Sequence, residues 1–199
     1  AHAVMMATPE DLEDYALGYS LHEGIVAAAH ELRFIGVETR DDGLVLELAI
    51  PQSRFDALAS RTRRTLGNSA CGLCGSEALI EALPHPPRVV AGAFDPASAA
   101  RALARFTALQ ALNAASGGAH AAAWCVDDDI RLLREDVGRH NAFDKLGGAL
   151  ARSGIDARAG YALVTSRASY ELVHNAAMAG IGVFDPARMT LSLVVPQGH

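Results

Sequence analysis

What most constrains this chain is the order of segments in its second half. Short apolar runs that suit strands alternate with helical segments, and glycine or a polar turn separates them. Asp95-Pro96-Ala97-Ser98 opens a helix predicted to run to about Ala115, and Ser116-Gly117-Gly118 stops it. Ala119 to Val126 is small and apolar, and Ile130 to Arg134 alternates apolar with charged, so both read as strands. A helix follows over Asn141 to Ala151, ending before Ser153-Gly154. Then come a short buried strand, Tyr161 to Thr165, a helix over Ser169 to Ala179 with Gly180 past its end, and a terminal strand, Leu191 to Val195. Such alternation predicts a layered α/β fold, a sheet with flanking helices.

The first half is organised differently. Thr8-Pro9-Glu10-Asp11 reads as an N-cap with proline and acidic residues in the first turn. Leu12, Tyr15, Ala16 and Tyr19 follow at helical spacing until Gly24. Two strands, Glu31 to Thr39 and Leu44 to Ile50, flank the turn Asp41-Asp42-Gly43, with Leu44, Leu46, Leu48 and Ile50 on one face. Arg54 to Ala59 is polar and short, and Ser76 to Leu83 is a short helix. The linker Pro84-His85-Pro86-Pro87 divides the chain into an N-terminal subdomain, 1–83, and an α/β subdomain, 84–199.

Reactive chemistry concentrates in Cys71-Gly72-Leu73-Cys74-Gly75, within a loop of about residues 60–76. Two thiols three positions apart can share a sulfur, a disulfide or a metal. The glycines let the loop bend, and Arg61, Arg63, Arg64 and the following helix start favour the thiolate. Three cysteines is an odd count, against a secreted disulfide framework. Cys125, after Trp124 in an apolar run, reads as a buried, inert thiol. The pair Cys71 and Cys74 therefore suits a reducing compartment, and a cytoplasmic protein is expected. Zinc held with His120 is disfavoured: no H-x-E precedes the cysteines as in zinc deaminases, and no second C-x-x-C is present. No metal ligand is assigned.

Composition narrows the partners. The net charge of −6 over 199 residues gives no global footprint for nucleic acid, so an anionic ligand would need a local basic cluster. No apolar run is long enough to cross a membrane, and Ala1 to Ala7 lack the charged start and cleavage pattern of a signal peptide.

Two polar turns supply such clusters. Arg134-Glu135-Asp136-Val137-Gly138-Arg139-His140-Asn141-Ala142-Phe143-Asp144-Lys145 reads as a strand end, a glycine turn and a helix start, where α/β proteins bind ligands. Asp136 could orient His140 or accept from a guanine edge, and Arg139 offers a planar fork for phosphate. The plain alternative is an exposed loop of surface salt bridges. Thr165-Ser166-Arg167-Ala168-Ser169-Tyr170-Glu171 sets hydroxyls and an arginine at a helix start, an anion site in which Ser169 could equally be only the N-cap.

Taken together, these motifs resemble one family, the formate dehydrogenase accessory sulfurtransferases, or FdhD proteins. The resemblance rests on Thr8-Pro9, Ala16 to Tyr19 and His22 to Ile25, on C-G-L-C-G at 71–75, on Gly117 to Ala122, on Arg134 to Ala142 with Lys145, and on Thr165 to Glu171. It implies a cytidine-deaminase-like α/β core without the zinc signature, and a homodimer. It implies a sulfur carrier that accepts persulfide sulfur from a cysteine desulfurase and delivers it to the molybdenum or tungsten bis(guanine dinucleotide) cofactor, a bound substrate, for the formate dehydrogenase apoenzyme. Cys71 would carry the persulfide, with Cys74 assisting. The dinucleotide would lie near His120, Asp136, Arg139, His140, Asn141, Lys145, Thr165, Ser166, Arg167 and Ser169. A late F-x-x-x-R-M segment, here Phe184, Asp185, Pro186, Ala187, Arg188 and Met189, would also touch it. The runner-up is a non-enzymatic chaperone that binds the same cofactor. The chain departs from the family pattern before His2 and where Val183 runs directly into Phe184; residues missing from the sequence are expected there, rather than a deletion from the core.

Overall fold

A computed structural model describes residues 3–69, 86–90, 92, 94–182 and 184–186. Four strands form the central sheet in the order β4-β3-β5-β6: β3 (His120–Val126), β4 (Asp129–Asp136), β5 (Tyr161–Val164) and β6 (Phe184–Pro186). β3 is antiparallel to β4 and β5, and β5 is parallel to β6. Helices α3 (Pro96–Phe106), α4 (Ala111–Ser116), α5 (Arg139–Ser153) and α6 (Tyr170–Met178) surround it.

The small-residue strand β3 explains the layering. Its side chains alternate across the sheet. Ala122 and Trp124 join Phe143, Leu146 and Leu150 of α5 and Leu172 and Ala176 of α6 in one core. Ala121, Ala123 and Cys125 meet Ala99, Ala102 and Phe106 of α3 in the other. Alanine at three successive positions lets helices press on both faces, so β3 is buried on each side although its pairing is antiparallel. Burial pushes the Cys125 thiol up to about 12, as its reading as an inert cysteine requires.

The expected single helix from Asp95 is two. Asp95 caps α3 as foreseen, accepting from the Ala97 and Ser98 amides at 3.1 and 3.0 Å. The path breaks at Gln110 (ψ 83°), and α4 starts afresh. Glu135 on β4 accepts from the Leu112 and Asn113 amides, both at 2.9 Å, and so caps α4 from outside the helix. Strand β6 was not foreseen; the predicted strand Leu191 to Val195 lies outside the described residues.

The N-terminal half contributes α1 (Leu12–His22), the antiparallel hairpin β1 (Arg33–Arg40) and β2 (Gly43–Ala49), and α2 (Gln52–Ser69). Within the expected subdomain 1–83, α1 packs on α5 of the other half. Gly18 and Gly148 let the two backbones touch: a Cβ on Gly18 would run into the Asp144 carbonyl, and one on Gly148 into that of Asp14. Asp14 also pairs with Arg134 at 2.7 Å and Arg152 at 2.9 Å.

Three expectations need correction here. Thr8 is not the N-cap of α1. The helix starts at Leu12 after Asp11, whose φ is 52°, because Thr8 is committed elsewhere. Arg54 to Ala59 is part of α2, begun after Pro51, whose carbonyl accepts from the Arg54 and Phe55 amides. The strand expected to reach Ile50 ends at Ala49, and on its apolar face Leu44 and Leu48 are exposed while Leu46 and Ile50 are half-buried. The last turns of α2 occupy 60–69 of the expected cysteine loop; Cys71, Cys74 and the predicted helix Ser76 to Leu83 lie outside the described residues.

Candidate functional site

The antiparallel order of the sheet gathers three segments at one end. The last residues of β4 and β5 lie beside the first residues of β3: His120 pairs with Asp136, and Ala122 with Val164. The two polar turns, at the ends of β4 and β5, are therefore not on adjacent strands. β3 lies between them and places His120 there.

An inner layer of this end is buried and holds the turn in shape. Asp136 is 0 % exposed and accepts from the Thr8 amide at 2.9 Å, the Gly138 amide at 2.8 Å and Asn141 Nδ2 at 3.0 Å. It pairs with Lys145 Nζ at 2.7 Å, and the ammonium also donates to the Thr8 and Glu135 carbonyls at 3.0 and 3.2 Å. Thr8 Oγ1 accepts from the Val137 amide at 3.1 Å. Asn141 donates to the Met6 carbonyl at 2.7 Å and accepts from the Tyr15 hydroxyl at 3.5 Å. Burial, and then the charge of Asp144, raises the Tyr15 pKa, so this hydroxyl stays protonated. Asp136 thus neither orients His140 nor offers itself to a guanine edge: its oxygens are taken by groups inside the protein. Lys145 and Asn141 belong to the same buried scaffold.

An outer layer faces away from this scaffold. His120 Nδ1 lies 3.3 Å from Thr165 Oγ1, which accepts from the Ala121 amide at 3.0 Å. His140 Nε2 lies 3.4 Å from Ser169 Oγ, and that oxygen caps α6 by accepting from the Leu172 amide at 3.4 Å. Ser169 is therefore the N-cap of α6 and also lies beside His140. Arg139 and Arg167 are exposed, while Ser166 is buried. Burial lowers the His140 pKa first, with help from the Arg139 charge, so the imidazole is neutral near pH 7. The N-termini of α5 and α6 open here, and their amide ends favour anions.

The parallel register of β6 brings the late segment to the same end of the sheet. Phe184, Asp185 and Pro186 lie level with Ala162, Leu163 and Val164. Ala187, Arg188 and Met189 lie outside the described residues, as do both cysteines of the reactive pair. The Arg139 guanidinium, two half-buried imidazoles, hydroxyls and two helix starts, with the exposed Arg167 in the second turn, form a lip suited to a phosphate-bearing ligand, and the Glu171 carboxylate sits beside Ser169 and His140 within it. Sequence reasoning missed the scaffold under it: Met6, Thr8 and Tyr15 are distant in sequence.

The fold places the chain in a known structural class. It is similar to the crystal structure of a protein from Desulfotalea psychrophila described as a candidate formate dehydrogenase accessory protein, with a TM-score of 0.60 at 18 % identity. The match covers 89 % of this chain and spans 64 % of that one. More specifically, the family model for FdhD/NarQ matches residues 1–186, and the chain belongs to the FdhD/NarQ family. It is 49 % identical over 202 residues to the sulfur carrier protein FdhD of Xanthomonas euvesicatoria pv. vesicatoria, covering 98 % of this chain and 72 % of the relative. It is 46 % identical over 198 residues to that of Cupriavidus necator, covering 98 % and 68 %.

Proposed function

We propose that this protein is a sulfur carrier of formate dehydrogenase maturation, working in the cytoplasm through a cysteine persulfide. Membership of the FdhD/NarQ family, with relatives named sulfur carriers at 46–49 % identity, is the observation that carries this reading. In it, the Cys71 thiolate attacks the outer sulfur of a cysteine desulfurase persulfide. A new S–S bond forms at Cys71, the old one breaks, and the desulfurase cysteine leaves as its thiolate, so no external oxidant enters. Cys74 resolves or relays the sulfur. The acceptor is the metal of the molybdenum or tungsten bis(guanine dinucleotide) cofactor, held as cargo. Two electrons from that metal reduce the outer sulfur to sulfide, and Cys71 returns as thiolate.

The lip at the sheet end is the proposed seat of the guanine dinucleotide. Arg139 and Arg167 would meet phosphate charge, while His120, His140, Thr165 and Ser169 would supply hydrogen bonds. Phe184 to Met189 would complete the seat from β6 onward, and the carrier would act as a homodimer with the apoenzyme as final recipient. Asp136, Asn141 and Lys145 serve this seat from below. The test is formate dehydrogenase activation in cells lacking the endogenous carrier. Cys71→Ala is expected to abolish activation while guanine nucleotide binding persists. Full activation by Cys71→Ala would overturn the carrier reading and favour a chaperone that binds the cofactor without carrying sulfur.

A further inference from the structure

Beneath the lip, one carboxylate oxygen ties three helices together. Asp144 Oδ1 on α5 meets His22 Nδ1 of α1 at 2.6 Å and accepts from Asn175 Nδ2 of α6 at 3.1 Å. His22 is 2 % and Asp144 3 % exposed, so these contacts form away from water. Asp144 lies one helical turn below His140, and Asn175 lies six residues below Ser169. Asp144–Asn175 is therefore a second polar rung between α5 and α6, farther from the lip than the His140–Ser169 rung at 3.4 Å.

Near the lip the Glu171 carboxylate of α6 also lies by Ser169, His140 and Arg139, and farther down the described α5–α6 contact is apolar. Phe143 and Leu146 meet Leu172 and Ala176. Apolar packing is non-directional and sets how close two helices lie more firmly than their register along the axis. Hydrogen bonds are directional and do set that register. The register decides whether His140 meets Ser169 across the lip.

We propose that Asn175 is a positioning residue: through Asp144 it fixes the register of α5 against α6 and so assembles the anion-binding lip. This rests on the reading that the phosphate end of a guanine nucleotide occupies that lip. Asn175 stands off the lip, and its action passes through Asp144. Asn175→Ala removes the rung but keeps His22 on Asp144, and alanine is the better helix former, so the variant is expected to fold.

The experiment is titration of GDP into the full chain by calorimetry, beside the NMR signals of the His140 ring nitrogens. Asn175→Ala is expected to weaken GDP binding by about ten-fold, as loss of one charged contact does. It is also expected to shift the His140 Nε2 signal as the Ser169 contact opens. Asn175→Gln, which keeps the amide donor, should restore much of both. A merely structural role would lower the melting temperature and leave the folded protein's His140 signal in place. Unchanged GDP affinity, or weaker binding with an unmoved His140 signal, would overturn the proposal. If Asn175→Ala fails to fold, Asn175→Gln decides: it must bind GDP within a few-fold of the parent, with the His140 signal near the parent's, or the proposal fails. An absence of GDP binding by the parent chain would instead overturn the reading of the lip itself.

Discussion

Replacing Gly148 by alanine sets helix propensity against packing. Gly148 lies inside α5, where alanine is favoured over glycine by about 1 kcal/mol. Against that, the added Cβ would run into the carbonyl oxygen of Asp14 and lie 2.7 Å from its carbonyl carbon and 2.9 Å from its Cα. These are backbone atoms of a helix, so no rotamer change relieves the clash; α1 must move. Overpacking of this kind costs about 1–3 kcal/mol. The upper end applies, because moving α1 also stretches the contacts of Asp14 with Arg134 and Arg152. Subtracting the propensity gain leaves a net loss of about 1–2 kcal/mol. In a chain of this size each kcal/mol lowers Tm by about 2–4 °C. The assay is urea unfolding followed by the fluorescence of Trp124, the one tryptophan of the chain. Gly118→Ala is the control: its Cβ meets nothing within 4 Å, and its effect should stay within about 0.5 kcal/mol. If Gly148→Ala matches or exceeds the parent in stability, the claim that the α1 and α5 backbones touch is wrong.

Three further expectations concern the site and its support. Lys145→Met leaves Asp136 buried without its cation and is expected to cost about 3–5 kcal/mol in urea unfolding, softened by the three donors that remain on the carboxylate; a loss under about 1 kcal/mol would contradict the scaffold role. His140 has a folded pKa below its unfolded value of about 6.5, so the unfolded chain binds the extra proton in that window. Stability is thus full above about pH 6.5 and falls as pH drops through the unfolded and then the folded pKa, and His140→Gln should flatten that slope in pH-dependent melts. Cys125, buried and with its thiol pushed up to about 12, should resist iodoacetamide at pH 8 in the native protein and react on unfolding, as read by peptide mass mapping; rapid native alkylation would show that the α3 side of the sheet opens.

How far the sequence carried depended on the range of the interaction. Strands β3 to β5 and helices α5 and α6 were legible because apolar runs and capping residues act locally. Ser169 and Asp95 are such caps, and the structure has both in place. The break at Gln110 was hidden because its cap, Glu135, arrives from another strand. Thr8 looked like a helix cap by its neighbours, yet its amide, hydroxyl and carbonyl serve a turn some 128 residues away. For the site, the family resemblance named His120, His140, Thr165 and Ser169 together, and the structure has all four at one sheet end. The resemblance could not sort them from Asp136, Asn141 and Lys145, because burial separates a ligand-facing residue from a scaffold residue, and burial is a property of the whole fold. The same limit hid Asp144: its partners His22 and Asn175 lie 122 and 31 positions away.

The central claim is that this chain carries sulfur on Cys71. Its most direct test is intact-protein mass spectrometry after incubation with a cysteine desulfurase and cysteine, followed by peptide mapping. One added sulfur is expected on the peptide containing Cys71, removed by reductant and absent from Cys71→Ala. No added sulfur on this chain, while a control acceptor is loaded by the same desulfurase, would contradict it.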